Sequence, residues 1–335
     1  MLADLTAALG TAGDFAQPVG WLVLGLFVLG MVLEYVDRDY ARPVVVGAWF
    51  GFALFWLLLI YPWFAIDNSV VRGVGAVLAV PLSLLVGKAL YGGRDSLFTL
   101  SRAVGLMGLV YAPFVTITAL REWLVMTVTH HTAWAMSLIG YDPPLVTERH
   151  EAEPYAPESF SGSLDNPISG KEFAFENTFV FFQDTHTITY TIILACTGIG
   201  SMAVIIGLVA AVRAPWRRKL RALAIAVPII YALNIVRNVF IGISFGHQYA
   251  DFFPDLTMML FGVGESHVSY IWADRIIAQG LSVVAMVIIF WLVLREVPEV
   301  LGPVEDVLYL LTGTEYDLGE AFNVEVDRTQ SQPAD

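Results

Sequence analysis

Several stretches of this chain run for eighteen or more residues with almost no charge. Such runs belong in lipid, because a helix needs about 20 apolar residues to cross the hydrocarbon layer. Composition agrees: the 335 residues are 57% hydrophobic and 15% charged, whereas soluble domains carry about 25% charged residues. In lipid every backbone polar group must be paired internally, so the runs are read as helices. The expected fold is an all-α, polytopic transmembrane helix bundle of about seven to eight spans. The first apolar run starts after Pro18 with no basic region before it, and is expected to be a retained span rather than a cleaved signal peptide.

Seven spans can be drawn, at about 18–36, 44–66, 70–87, 103–125, 188–212, 222–245 and 269–294. Basic residues of short loops favour the cytoplasmic side. The loops holding Arg38 and Arg42, then Lys88, Arg94 and Arg102, then Arg213, Arg217, Arg218, Lys219 and Arg221 alternate with basic-poor loops, so they are grouped inside, together with Arg295. Arg72, Arg121, Arg149 and Lys171 then lie on or near the outer side, with the amino terminus external and the carboxyl terminus cytoplasmic. The chain is expected to divide into an N-terminal transmembrane bundle (1–126), an extracellular loop segment (127–187), a transmembrane core (188–295) that holds the candidate chemistry, and an acidic cytoplasmic tail (296–335).

Within the outer segment, Thr127 to Tyr141 is expected as a short interfacial helix. The aromatic run Phe173, Phe175, Phe179, Phe181 and Phe182 is expected to pack against the outer mouth of the bundle, as a covering flap or a plain connection. The tail after Pro303 reads as a short helix followed by disorder. No internal repeat of the transporter kind is visible. The net charge of -13, carried by loops and tails, argues against nucleic-acid partners and suggests a high-salt host. The single cysteine, Cys196, excludes an intramolecular disulfide framework or a multi-cysteine metal site. His130, His131, His150 and His186 form no metal-ligand frame, and no cofactor is implied.

Three residues break the apolar monotony of the last three spans: Cys196, Arg237 and Arg275. An arginine at the centre of a membrane helix costs roughly 2.5 to 3.5 kcal/mol, so it usually faces a polar cavity and has a partner or a function. Counting helical steps of about 1.5 Å from the cytoplasmic ends puts Cys196 and Arg237 level, about 23 Å up, with Arg275 about one turn further out. A thiolate is the reactive form of cysteine, and a fixed cation nearby favours it. Arginine stays charged and offers a planar fork of donors, suited to holding an anion or a developing oxyanion. Asp274 offsets only one of the two arginines, and a thiolate would match the other. Asn234 and Asn238 flank Arg237 and are expected to hold its side chain. Ala195, Gly198, Gly200 and Ser201 leave room for close approach around the thiol.

Bland readings stand beside this one. A lone membrane cysteine is most often inert packing, and intramembrane arginines also serve structure or transport. The alternative from another class is a small-solute or anion transporter or channel. Gly200-Ser201 with His247 or His267 as base suggests an intramembrane serine protease, but no glycine follows the serine.

The motifs ACTGIGS at 195–201, NIVRN at 234–238 and SHVSYIWADR at 266–275 resemble those of the exosortase and archaeosortase family. The resemblance implies a membrane-embedded cysteine peptidase and transpeptidase with its active site near the extracellular face. Its substrates would be exported surface proteins, including surface-layer glycoprotein, that carry a C-terminal sorting signal: a short Pro-Gly-Phe type motif, an apolar helix and a basic tail. Cleavage through an acyl-thioester would be followed by attachment to a membrane lipid. By the same resemblance Cys196 is the nucleophile, Arg237 the proton-donor arginine and Arg275 the transition-state stabiliser. His267 competes for the third role, and archaeosortases are similar in using arginine there. Since arginine has a pKa of about 12.5 or higher, electrostatic stabilisation is the sounder physical description of both arginines.

Overall fold

The computed structural model describes residues 13, 15–66, 69–168 and 173–321. Lys171 and the tail acids Glu325 and Asp327, like the disorder expected of the tail's end, lie outside the described residues. Helices dominate: α1 (Ala16–Val36), α2 (Arg38–Tyr61), α3 (Val70–Tyr91), α4 (Leu97–Thr116) and α5 (Thr118–Leu138) come before a small sheet. After the sheet come α6 (Ile199–Ala211), α7 (Trp216–Gly246), α8 (Pro254–Phe261), α9 (Gln279–Glu296), α10 (Leu301–Thr312) and α11 (Leu318–Ala321). Among the described residues, six segments are long and apolar enough to cross a membrane: Ala16–Val36, Arg38–Ile66, Val70–Tyr91, Leu97–Thr116, Trp216–Gly246 and Glu265–Glu296. The chain is a multi-pass membrane protein, and the all-helical membrane expectation holds for its spans.

Two of the drawn spans need correction. The span expected at about 103–125 is broken at Ile117, whose extended backbone ends α4 and starts α5. Arg121 in the first turn of α5 explains the break, because its guanidinium donates back to the carbonyls of Phe114, at 3.1 Å, and Val115 at the end of α4. The interfacial helix expected at Thr127 to Tyr141 is the second half of α5. The span expected at about 188–212 begins as a β-strand and a 3-10 turn, leaving α6 with 13 residues. At about 1.5 Å per residue that is roughly 20 Å, short of a full crossing.

Two compact units make up the chain. The first takes in the described residues up to Val110, Ala203–Val227 and the described residues from Ile288 onward. Its core is built by α1, α2 and α3 through Val23, Phe27, Val45, Trp49, Val86 and Leu90. Arginines expected in loops lie in the first turns of helices and pair with acids: Arg42 with Asp95 at 2.9 Å, Arg102 with Glu34 at 3.2 Å and Arg218 with Glu299 at 2.8 Å. Asp306 on α10 is buried and accepts from Arg94 at 3.0 Å and Ser96 at 2.8 Å, so the start of the acidic tail is part of the fold.

The second unit holds Tyr111–Met202 and Pro228–Val287. Here the segment expected on the outer side is more than a connection: β1 (Leu145–Val146), β2 (Thr178–Phe182) and β3 (Thr187–Thr191) form an antiparallel sheet in the order β1-β2-β3. Side chains alternate across it, as the strand period of two requires. Phe179, Phe181, Ile188 and Tyr190 join Val128, Met136, Ile241 and Phe245 from α5 and α7 in the main core. Val180 packs with Val146, Ala152 and Ile168 on the other face. Tyr190 stands opposite Phe179 in register, their rings stacked at 6.4 Å. Val268–Tyr270 forms a single α-helical turn and Ile271–Ala278 a π-helix that leads into α9.

Candidate active site

Cys196 sits in the 3-10 turn Leu194–Thr197, half-buried, between β3 and α6. The segment that delivers it is pinned at both backbone groups of Ile192: its N–H donates to the carbonyl of Asn177 at 2.8 Å, and its carbonyl accepts from Asn177 Nδ2 at 2.7 Å. In an unbroken helix the Cys196 carbonyl would accept from the fourth N–H onward. Gly198, at φ +77°, turns the backbone left-handed instead, and the helix starts afresh at Ile199. The cysteine therefore lies just ahead of a helix N-terminus, where the partial positive charge favours an anion. Its carbonyl takes two side-chain amides from α7: Asn234 Nδ2 at 2.6 Å and Asn238 Nδ2 at 2.8 Å.

This corrects the expected role of the two asparagines, which hold the cysteine turn rather than the arginine between them. Asn238 is fully buried, and its Oδ1 accepts from the Tyr190 hydroxyl at 3.2 Å. Burial pushes the Tyr190 phenol well above its ordinary range; Cys196, Asp274 and Tyr270 push the same way and Arg237 opposes them. These five residues share one electrostatic neighbourhood.

Arg237 lies in electrostatic range of Cys196, and its guanidinium is paired directly with Asp274. Asp274 is buried, and its second oxygen stands 3.5 Å from Arg275 Nε. Tyr270 lies in electrostatic range of Asp274, and the Arg275 guanidinium lies 5.4 Å from the centre of the Tyr270 ring. Asp274 and Arg275 are on the π-helix Ile271–Ala278, a variant that often marks functional sites in membrane and soluble helices alike. Among the described residues, Arg275 Nε is a buried donor without a hydrogen-bond partner.

All three residues singled out from the sequence fall in one unit: Arg237 and Arg275 share Asp274, and Cys196 is held by the helix that bears Arg237. His267 is exposed on the 3-10 turn Glu265–His267, and its ring is 6.0 Å from Phe245, which in turn packs on Tyr270 at 5.3 Å. Sequence reasoning gave no role to Tyr190 or Tyr270 and used Asp274 only as a charge. The single available signal was that polar side chains are sparse in this apolar neighbourhood.

A family model described as transmembrane exosortase matches residues 14–264, a stretch that includes Cys196 and Arg237 and ends before Arg275. An archaeosortase A from Haloferax volcanii is 44% identical over 317 residues, covering 91% of this chain and 97% of that protein. An archaeosortase A from Natronomonas pharaonis is 36% identical over 325 residues, covering 96% of each chain. No solved structure matches.

Proposed function

Since the chain belongs to the transmembrane exosortase family, we propose that this membrane sortase-like processing enzyme is a cysteine peptidase and transpeptidase, and that Cys196 is its nucleophile. The observation that carries the reading is the joint hold on the cysteine turn: the helix that bears Arg237 also supplies both amides on the Cys196 carbonyl.

In the proposed reaction the Cys196 thiolate attacks the scissile carbonyl, and Arg237 stabilises the sulfur anion. The oxyanion that develops is met by Arg275, a buried cation whose Nε makes no hydrogen bond among the described residues, in a dry setting where such contacts count most. Collapse breaks the C–N bond; the leaving amine takes up a proton and departs with the C-terminal apolar helix. The acyl group remains as a thioester on Cys196 until an amine-bearing membrane lipid attacks it, breaking the C–S bond and returning the thiolate. Substrates on this reading are exported surface proteins, surface-layer glycoprotein among them, with the three-part C-terminal signal. The site faces the outer side.

The test is Cys196→Ala in a host lacking the native enzyme, with a tailed surface precursor followed by gel mobility. Loss of processing with the variant still inserted in the membrane is the expected result. Processing at the normal rate would refute the assignment.

A further inference from the structure

We infer that Asn234, Asn238 and Tyr190 are positioning residues for the nucleophile, a three-membered clamp that fixes the Cys196 turn against the arginine-bearing helix. The inference rests on the proposed role of Cys196 and goes beyond it, because the clamp acts through the Cys196 backbone carbonyl.

The argument starts from the backbone. Gly198 ends the 3-10 turn in the left-handed region, and the Cys196 carbonyl stands just ahead of the helix that begins at Ile199. A buried carbonyl without a partner is costly. Two amides one helical turn apart on α7 converge on it, at 2.6 Å and 2.8 Å. One donor would satisfy the group. Two donors from fixed points on a helix also fix its direction, and with it the direction of the adjoining Cα–Cβ bond. Asn238 has its own orientation set by Tyr190, which donates to Oδ1 at 3.2 Å and so leaves the amide nitrogen for Cys196. Tyr190 is held in turn by its place on β3, opposite and stacked on Phe179. Asn234 is backed by Gly198, where a Cβ would lie 3.2 Å from Asn234 Cβ and Cγ. The sheet, the cysteine turn and α7 are thereby locked in one register.

Positions 234 and 238 straddle Arg237 on the same helix. Loss of the clamp therefore changes the sulfur-to-guanidinium geometry without removing either group. A misplacement of about 1 Å at a reacting group costs up to roughly a hundredfold in rate.

The single cysteine makes the test clean, since alkylation by N-ethylmaleimide reports on Cys196 alone. The titratable groups around it are Tyr190 on β3, Arg237 on α7, and Tyr270, Asp274 and Arg275 on the last span. Full-length protein in liposomes is compared as wild type, Asn234→Leu, Asn238→Leu and Tyr190→Phe for two readouts: the pH dependence of alkylation, and kcat and KM on a tailed precursor. Each Leu variant is expected to move the alkylation curve to higher pH and lower kcat about tenfold, with KM for the precursor unchanged within about twofold. Tyr190→Phe, which removes one oxygen, is expected to shift both in the same direction by a few-fold.

An unaltered alkylation curve together with unaltered kcat in a folded Leu variant overturns the inference, as does a rise in KM alone. If both Leu variants misfold, Tyr190→Phe decides by the same criteria. Normal processing by Cys196→Ala would instead overturn the proposed function, while the alkylation readout, which needs only the sulfur, would still judge the clamp.

Discussion

Asp274 binds Arg237 across two segments of the chain: the carboxylate on the π-helix accepts from the guanidinium on α7, with both side chains largely shielded from solvent. Arg275 and Tyr270 close on the same carboxylate. One acid thus organises two cations, and the cluster keeps a net positive charge that suits a thiolate or an oxyanion.

Breaking this pair should be expensive. Removing one partner of a buried ion pair typically costs about 3–5 kcal/mol, because the other charge is left uncompensated. Asp274→Leu is expected to lower the thermal midpoint by several degrees and abolish processing. Adding Arg237→Leu should restore part of the stability and none of the activity, which a double-mutant cycle on the purified protein checks.

Gly198 and Gly200 are two residues apart and should respond in opposite ways. At Gly198 an added Cβ meets Asn234 and forces a side chain into φ +77°, a strain of about 1–2 kcal/mol. Gly198→Ala is expected to cut turnover sharply. At Gly200, inside α6, an added Cβ meets nothing within 4 Å, so Gly200→Ala should be neutral or stabilising by up to about 1 kcal/mol. Thermal unfolding and precursor turnover measured on both variants provide the comparison.

The sequence marked Cys196, Arg237 and Arg275 because each is chemically foreign to an apolar span, and that contrast survives in any folded state. It hid the sheet because hydropathy runs without a break from Ile188 through Val212, although a strand, a turn and a helix share the stretch. The alternation Thr-Ile-Thr-Tyr-Thr at 187–191 was a strand signal masked by its apolar continuation. The asparagines sit beside Arg237 in sequence, but their amides go to the Cys196 carbonyl on a turn that ends in a left-handed glycine, a contact between distant segments that no local pattern carries. No pattern of residues announces a π-helix, so the way Asp274 and Arg275 share one neighbourhood was out of reach.

Arg237→Lys preserves charge and removes the planar fork. A lysine cannot hold Asp274 and face the sulfur with the same fixed geometry. Turnover is expected to fall at least about tenfold with the protein still folded, measured as kcat on the tailed precursor. Turnover equal to wild type would count against the assigned role.

His247 offers a pH test away from the chemistry. It is packed among Tyr141, Phe181 and Tyr249 at ring distances of 5.1, 5.4 and 5.3 Å, and partial burial lowers its pKa. A histidine with a depressed folded pKa takes up protons more readily when unfolded, so its contribution is fully present above the unfolded value of about 6.5 and is lost as pH falls below it. Thermal midpoints should drop modestly between pH 7 and pH 5, and His247→Gln should flatten that slope.

The central claim is that one sulfur carries the acyl group. Precursor and purified enzyme mixed without any acceptor lipid should yield a covalent adduct on the single-cysteine peptide, detected by mass spectrometry and released by hydroxylamine as a thioester is. Cleavage of the precursor under those conditions with Cys196 recovered unmodified at every time point, from the first turnover onward, would contradict it.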